Sequence, residues 1–157
     1  MIGPKQILPL LALAGLTALV GCGDGRPPRV PVSGRVTIDG QPVTKGFVQI
    51  IPKDARAAQA PLDAEGRFRL ETFDPEDGCV VGKHQVAVIS NEPLSTTKIR
   101  WLVPQKYRRP ETSGLWVEIA GPTDNLEIPL TWDGGKPFIE ETVTQGDIDL
   151  APAESSP

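Results

Sequence analysis

From Val30 onward the apolar residues recur at every second position. Val30, Val32, Gly34, Val36 and Ile38 fall on one side, and Pro31, Ser33, Arg35, Thr37 and Asp39 on the other. That period belongs to a strand and not to a helix. It stops at Asp39-Gly40, a pair that tolerates the positive φ of a tight hairpin. The pattern then repeats along the chain. Residues 46–52 read as a second strand, apolar on both faces. Residues 53–60 are Ala-rich and read as a loop or one helical turn. Residues 63–66 form a turn, followed by a strand at 67–71 with Phe68 and Leu70 inward and Arg67, Arg69 and Glu71 outward. Residues 74–78 form another turn. The strand at 83–90 sets His84, Val86 and Val88 on one face, and strands at 115–120 and 126–132 close the set. The longest irregular piece is 91–114. Residues 138–143 have the length of an edge strand, but their faces do not separate by polarity. The chain has 17 Pro and 16 Gly, too many for a helical protein and too few for low complexity. The expected fold is all-β, an antiparallel β-sandwich of about seven strands.

The amino terminus differs in kind. Residues 1–21 contain no acid and one base, Lys5, and residues 7–20 are apolar apart from Pro9, Gly15 and Thr17. This run is short for a transmembrane helix and suits a secretory signal. It ends in Leu19-Val20-Gly21-Cys22, which resembles a bacterial lipobox. The resemblance implies that Cys22 is acylated and becomes the new amino terminus. Several acyl chains on one residue give stable anchoring. The chain is therefore expected to be exported and lipid-anchored to the inner or outer membrane of a cell envelope. Its parts are a signal peptide (1–21), a Gly/Pro-rich tether (22–29), the sandwich domain (30–132) and an acidic, partly disordered tail (133–157). With Cys22 acylated, Cys79 is the only thiol left. It is either buried and inert, the reading preferred here, or available for an intermolecular bridge.

The strand motifs carry a second resemblance. Pro31-Val32-Ser33-Gly34-Arg35-Val36-Thr37-Ile38-Asp39-Gly40-Gln41-Pro42-Val43 resembles the opening of transthyretin-like, carboxypeptidase-regulatory-like domains. Asp63-Ala64-Glu65-Gly66-Arg67-Phe68-Arg69-Leu70 is similar to their hairpin, and Gly82-Lys83-His84-Gln85-Val86-Ala87-Val88 to a later strand. Pro104-Gln105-Lys106-Tyr107 and Thr112-Ser113-Gly114-Leu115 resemble a late segment of small bacterial lipoproteins of this type. The resemblance spans about residues 30–130 and implies a transthyretin-like or Ig-like sandwich. It does not imply a function, because the fold hosts many.

Chemistry has few parts to work with. Hydroxyisourate hydrolases of the transthyretin type need several histidines and a Tyr-Arg-Gly-Ser ending, and intradiol dioxygenases need two Tyr and two His. This chain has one His and one Tyr. His84 and Cys79 do not make a zinc site. His84 reads as a packed strand residue. The acids of 74–77 read as a solvated turn, since they lack the ligand spacing of a calcium loop. No catalytic residue, metal or cofactor is expected, and the chain is expected not to be an enzyme. Its net charge of −4 and pI near 5.0 speak against nucleic acid.

Two features are candidates for an interaction surface. Lys98, Arg100, Lys106, Arg108 and Arg109 lie together, with no acid between Glu92 and Glu111. Such a positive loop either is solvated or meets anionic headgroups or an acidic glycan. Trp116 alternates with Leu115, Val117 and Ile119, so it points to the polar face, where an aromatic ring stacks on a sugar or a protein partner unless the tail covers it. Trp132 continues a core face, and Trp101 is expected to plug one end of the sandwich. The resulting expectation is a lipid-anchored, non-enzymatic envelope module that binds a protein partner or serves a structural role, with carbohydrate binding as the alternative.

Overall fold

The computed structural model describes residues 25–141. The expected signal peptide and the lipobox-like Leu19-Val20-Gly21-Cys22 lie outside the described residues, as do residues 142–157. Strands make up 47% of the structure and helices 7%, which places the chain in the all-β class. The strands are β1 (Val32–Ile38), β2 (Gln41–Pro42), β3 (Phe47–Ile51), β4 (Ala58–Pro61), β5 (Arg67–Arg69), β6 (Gly82–Ile89), β7 (Asn91–Pro93), β8 (Lys98–Trp101), β9 (Trp116–Ile119), β10 (Thr123–Leu130) and β11 (Phe138–Glu141). Between β8 and β9 lie a 3-10 turn (Gln105–Arg108) and a one-turn helix, α1 (Pro110–Ser113).

The strands form three sheets, none of them closed. In the first, β1 is central, with β10 on one side and β2 and β5 on the other. The second has the order β4-β3-β6-β9 and is antiparallel throughout. The third, β11-β8-β7, is smaller. One pairing departs from the antiparallel expectation, for β1 and β10 run parallel. Parallel neighbours need a long crossover, and the whole second sheet lies between them in the chain. Pro129 is tolerated in β10 because that strand is an edge, where its missing N–H breaks no ladder.

Alternation builds the core. Val32 and Val36 of β1, Val48 and Ile50 of β3, Val86 and Val88 of β6, Ile119 of β9, and Ile128 and Leu130 of β10 join one buried cluster with Phe68 and Leu70. Each such side chain contributes about 1.5–3 kcal/mol when fully buried. The turns follow the sequence. Asp39 and Gly40 both take positive φ, 47° and 79°, as a two-residue hairpin requires. The Asp63 carboxylate accepts the N–H groups of Glu65 and Arg67 at 3.0 and 2.7 Å, closing the turn before β5.

Two expectations are corrected, and the edge strand considered at 138–143 forms over Phe138–Glu141. The Ala-rich stretch is neither loop nor helix from Ala58 on, since Ala58–Pro61 pairs with β3. Ala58 and Ala60 are fully buried there, so packing overrides the weak strand preference of alanine. Segment 91–114 is not irregular; β7, β8, the 3-10 turn and α1 occupy much of it. Tyr107 at its centre is buried, and its hydroxyl donates to Thr131 O at 3.2 Å. The tail also enters the fold, where β11 pairs with β8.

Cys79 is fully buried, and its backbone N–H and C=O both pair with Val30. Burial pushes the thiol up to about 11, and the Asp77 charge adds to this against the opposing N–H of Val80. Almost no thiolate then exists at neutral pH, so Cys79 is inert. The folded chain is expected to give no adduct with Ellman's reagent over minutes. In denaturant it should release one equivalent if Cys22 is acylated and two if it is free.

Candidate binding face

The second sheet turns one face to the core and the other outward. On β6, His84, Val86 and Val88 point inward, while Lys83, Gln85 and Ile89 point outward; Ala87 shares that outer side but is fully buried. On β9, Trp116 and Glu118 point outward, and on β3 so do Phe47, Gln49 and Ile51. Cross-strand registry then fixes the neighbours. Trp116 lies opposite Gln85 on β6, and Gln85 lies opposite Ile51 on β3. Next to this row the chain leaves β3 through Pro52 and Lys53, and β6 enters with Lys83. The result is a cleft of about 490 Å³ lined by Ile51, Pro52, Lys53, Lys83, Gln85 and Trp116.

Trp116 is 55% exposed at the start of β9, the edge strand of its sheet. The Lys83 ammonium lies 5.4 Å from the centre of its ring, a cation–π contact. Lys53 and Lys83 have no carboxylate within ion-pair distance among the described residues. The Gln85 amide makes only a long contact, 3.5 Å to Pro110 O. The cleft therefore combines an aromatic face, two cations outside any ion pair among the described residues, with Glu118 opposite Lys83 in the register, and an amide with spare hydrogen-bonding capacity.

The basic segment is built differently. Lys98 pairs with Glu141 at 3.4 Å, Arg100 with Glu92 at 3.5 Å, and Lys106 with Asp133. Its hydrogen bond to the Asp133 carboxylate raises the Lys106 ammonium above its ordinary range, and the hydrogen bond from Lys45 with the charges of Lys45 and Arg100 holds Glu92 below its own. Arg108 lies over the Trp101 ring at 5.7 Å. Trp101 is buried, and its indole N–H donates to Glu140 at 2.7 Å. Three of the five cations that looked free in the sequence are matched by acids from β7, β11 and the turn after β10; among the described residues Arg108 and Arg109 have no such ion pair. No pairing, ion pair or ring contact among the described residues joins Trp116 to any of the five. Trp132 is half-buried, beside Gly135.

His84 is buried, and its Nε2 donates to Val80 O at 2.9 Å while Nδ1 has no partner. Its ring packs against Gly82, whose added Cβ would lie 3.0 Å from Cε1. The acids of 74–77 are used internally. Arg26 bonds Asp74 at 3.0 Å, Arg29 approaches Asp77 at 2.7 Å, and Arg69 bonds Glu76 at 3.1 Å. Arg26, Arg29 and Arg56 surround the Phe73 ring at 4.5, 4.8 and 5.1 Å. The start of the described chain is thus stapled to the body instead of hanging from it. Among the described residues no group of His, Cys, Asp and Glu is placed to hold a metal ion, and no helix is long and apolar enough to cross a membrane.

Lys53, Lys83, Gln85 and Ile51 did not stand out in the sequence. The only signal available was alternation, and β3 obscures it by carrying apolar residues on both faces. No protein-family model matches the chain, and no curated protein or solved structure matches it.

Proposed function

We propose that this chain is a lipid-anchored, non-enzymatic binding module of the cell envelope, a transthyretin-like β-sandwich that takes its ligand on the outward face of the second sheet. The observation that carries the reading is Trp116, an indole held open on a strand with Lys83 over its ring and Lys53 on the same cleft. An exposed aromatic of this kind needs a reason beyond stability. The sandwich reading rests on one core shared by the first two sheets and on the strand motifs. The non-enzymatic reading draws on His84, whose imidazole faces the core and a backbone carbonyl.

The anchor sets the orientation. Two residues separate Cys22 from Gly25, a reach of about 11 Å at most over three Cα–Cα steps. Arg26 and Arg29 are held at the end of the body where β1 and β6 begin. The third sheet follows the other end of β6, about 26 Å further along that strand. An acylated Cys22 would hold the Phe73 end toward the membrane and the third sheet away from it. The basic residues of β8 would then not face the headgroups.

Two experiments test this. Cys22→Ser is expected to move the protein from the membrane to the soluble fraction; wild-type retention would mean that the anchor lies elsewhere. Crosslinking in native envelopes is expected to give an adduct that Trp116→Ala abolishes and Arg100→Glu leaves intact. The opposite pattern would move the working surface to the third sheet.

A further inference from the structure

We infer that the cleft beside Trp116 binds a carboxylated saccharide, one acidic sugar unit of an envelope polysaccharide. The inference rests on the outward face being the working surface and names the chemistry that fits it. Three observations select the ligand.

The first is charge. The protein is acidic overall, with a net charge of −4, and seven of its other cations form ion pairs among the described residues. Lys53 and Lys83 stand on the cleft outside any ion pair among the described residues, although Glu118 lies opposite Lys83 in the register. Two ammonium groups outside any ion pair favour an anion, and a compact carboxylate suits such point charges. They also disfavour a symmetric pair of copies on this face, which would bring like charges together.

The second is size. A cleft of about 490 Å³ falls in the range of small-ligand sites and admits a short stretch of polymer. A globular partner needs about 800 Å² from each side, with a core in which lysine is depleted. Here Lys83 lies directly over the only aromatic ring of the cleft.

The third is the kind of polar group on offer. A peptide strand would add to the free edge of β9, whereas Trp116 and Gln85 project from the face of the sheet. An indole plane stacks on the C–H face of a sugar ring, and the Gln85 amide supplies a donor and an acceptor for adjacent hydroxyls. In the assigned pose Trp116 carries the ring, Lys83 and Lys53 hold the carboxylate, and Gln85 fixes the rotation of the ring.

Phe47 provides an internal control. It is 53% exposed on the same outward face, but about 16 Å from Trp116 by strand geometry. It has no lysine opposite it in either neighbouring strand.

The test is calorimetric titration of the full-length protein in detergent with oligogalacturonate, its methyl ester and a maltooligosaccharide of equal length. Only oligogalacturonate should bind well. The ester should bind at least about tenfold more weakly, a difference of roughly 1.4 kcal/mol. Trp116→Ala and Lys83→Glu should each cost about tenfold, and Phe47→Ala less than about twofold, with thermal melts unchanged. Equal binding of acid and ester would overturn recognition of the carboxylate. No binding of any saccharide, with a crosslinked envelope protein lost in Trp116→Ala, would overturn the saccharide and keep the face. No saccharide binding and an adduct indifferent to Trp116 would overturn both.

Discussion

Gly34→Ala is expected to destabilise the domain by about 3 kcal/mol or more, at the upper end of what overpacking costs. Gly34 lies in the middle of β1, paired with Leu126 of β10 on one side and Phe68 of β5 on the other. An added Cβ would fall 2.0 Å from the Leu126 carbonyl oxygen and 2.8 Å from its carbon. These are backbone atoms, so no side-chain rotation relieves the clash, and β10 must move away. The registry between β1 and β10 already slips between Val32 and Gly34, and the missing side chain admits the carbonyl there. Gly121 serves as a control, since a Cβ there meets nothing within 4 Å. Denaturant unfolding should place Gly121→Ala near wild type. If Gly34→Ala unfolds with the same free energy as wild type, β10 does not pair with β1 in this register.

The contrast between these glycines shows what the sequence can convey. The Asp39-Gly40 and Asp63–Gly66 turns are legible because their chemistry is local: a short carboxylate and a residue free to take positive φ. Trp116 is legible for a similar reason, because alternation along one strand decides which way it points. The Ala58–Pro61 strand is not, since nothing local favours alanine in a sheet and its small size matters only against β3. The basic segment is the clearest case. A window without acids looks uncompensated, yet Glu92, Asp133 and Glu141 come to it through sheet pairing and a turn. Lys53 and Lys83 look ordinary because nothing nearby in the chain reveals that no ion pair forms there. Charge balance at a site is a property of topology, and one sequence read locally does not contain it.

Asp77→Ala is expected to cost about 3 kcal/mol at neutral pH and to loosen the attachment of the amino-terminal segment. The Asp77 carboxylate accepts the backbone N–H of Thr72 at 2.6 Å and of Phe73 at 3.1 Å. It also faces Arg29 Nε at 2.7 Å, close enough for an ion pair, though Nε lacks the alignment of a hydrogen bond. Both side chains are only about one-seventh exposed, at 15% and 14%. Removing the carboxylate orphans two amides and leaves a largely buried guanidinium uncompensated, and breaking a buried pair from one side is the costly way to break it. Burial pushes the Asp77 carboxyl up. The N–H groups of Thr72, Phe73 and Asp74 and the charge of Arg29 outweigh it and hold the group below its ordinary value. Because the folded value is depressed, the stabilisation is complete above the unfolded carboxylate pKa of about 3.9. It is lost as pH falls from there through the lower folded value. The stability difference between wild type and Asp77→Ala should therefore be largest near pH 7 and shrink toward pH 2–3 in urea titrations. Arg29→Ala should destabilise less, since the two amides keep their acceptor, and the double variant should cost less than the two single effects combined. A difference that stays constant across this pH range would mean that the Asp77 charge does not hold the staple. The Phe73 end would then be free to swing on the anchor, and the fixed orientation inferred for the Trp116 face would fall with it.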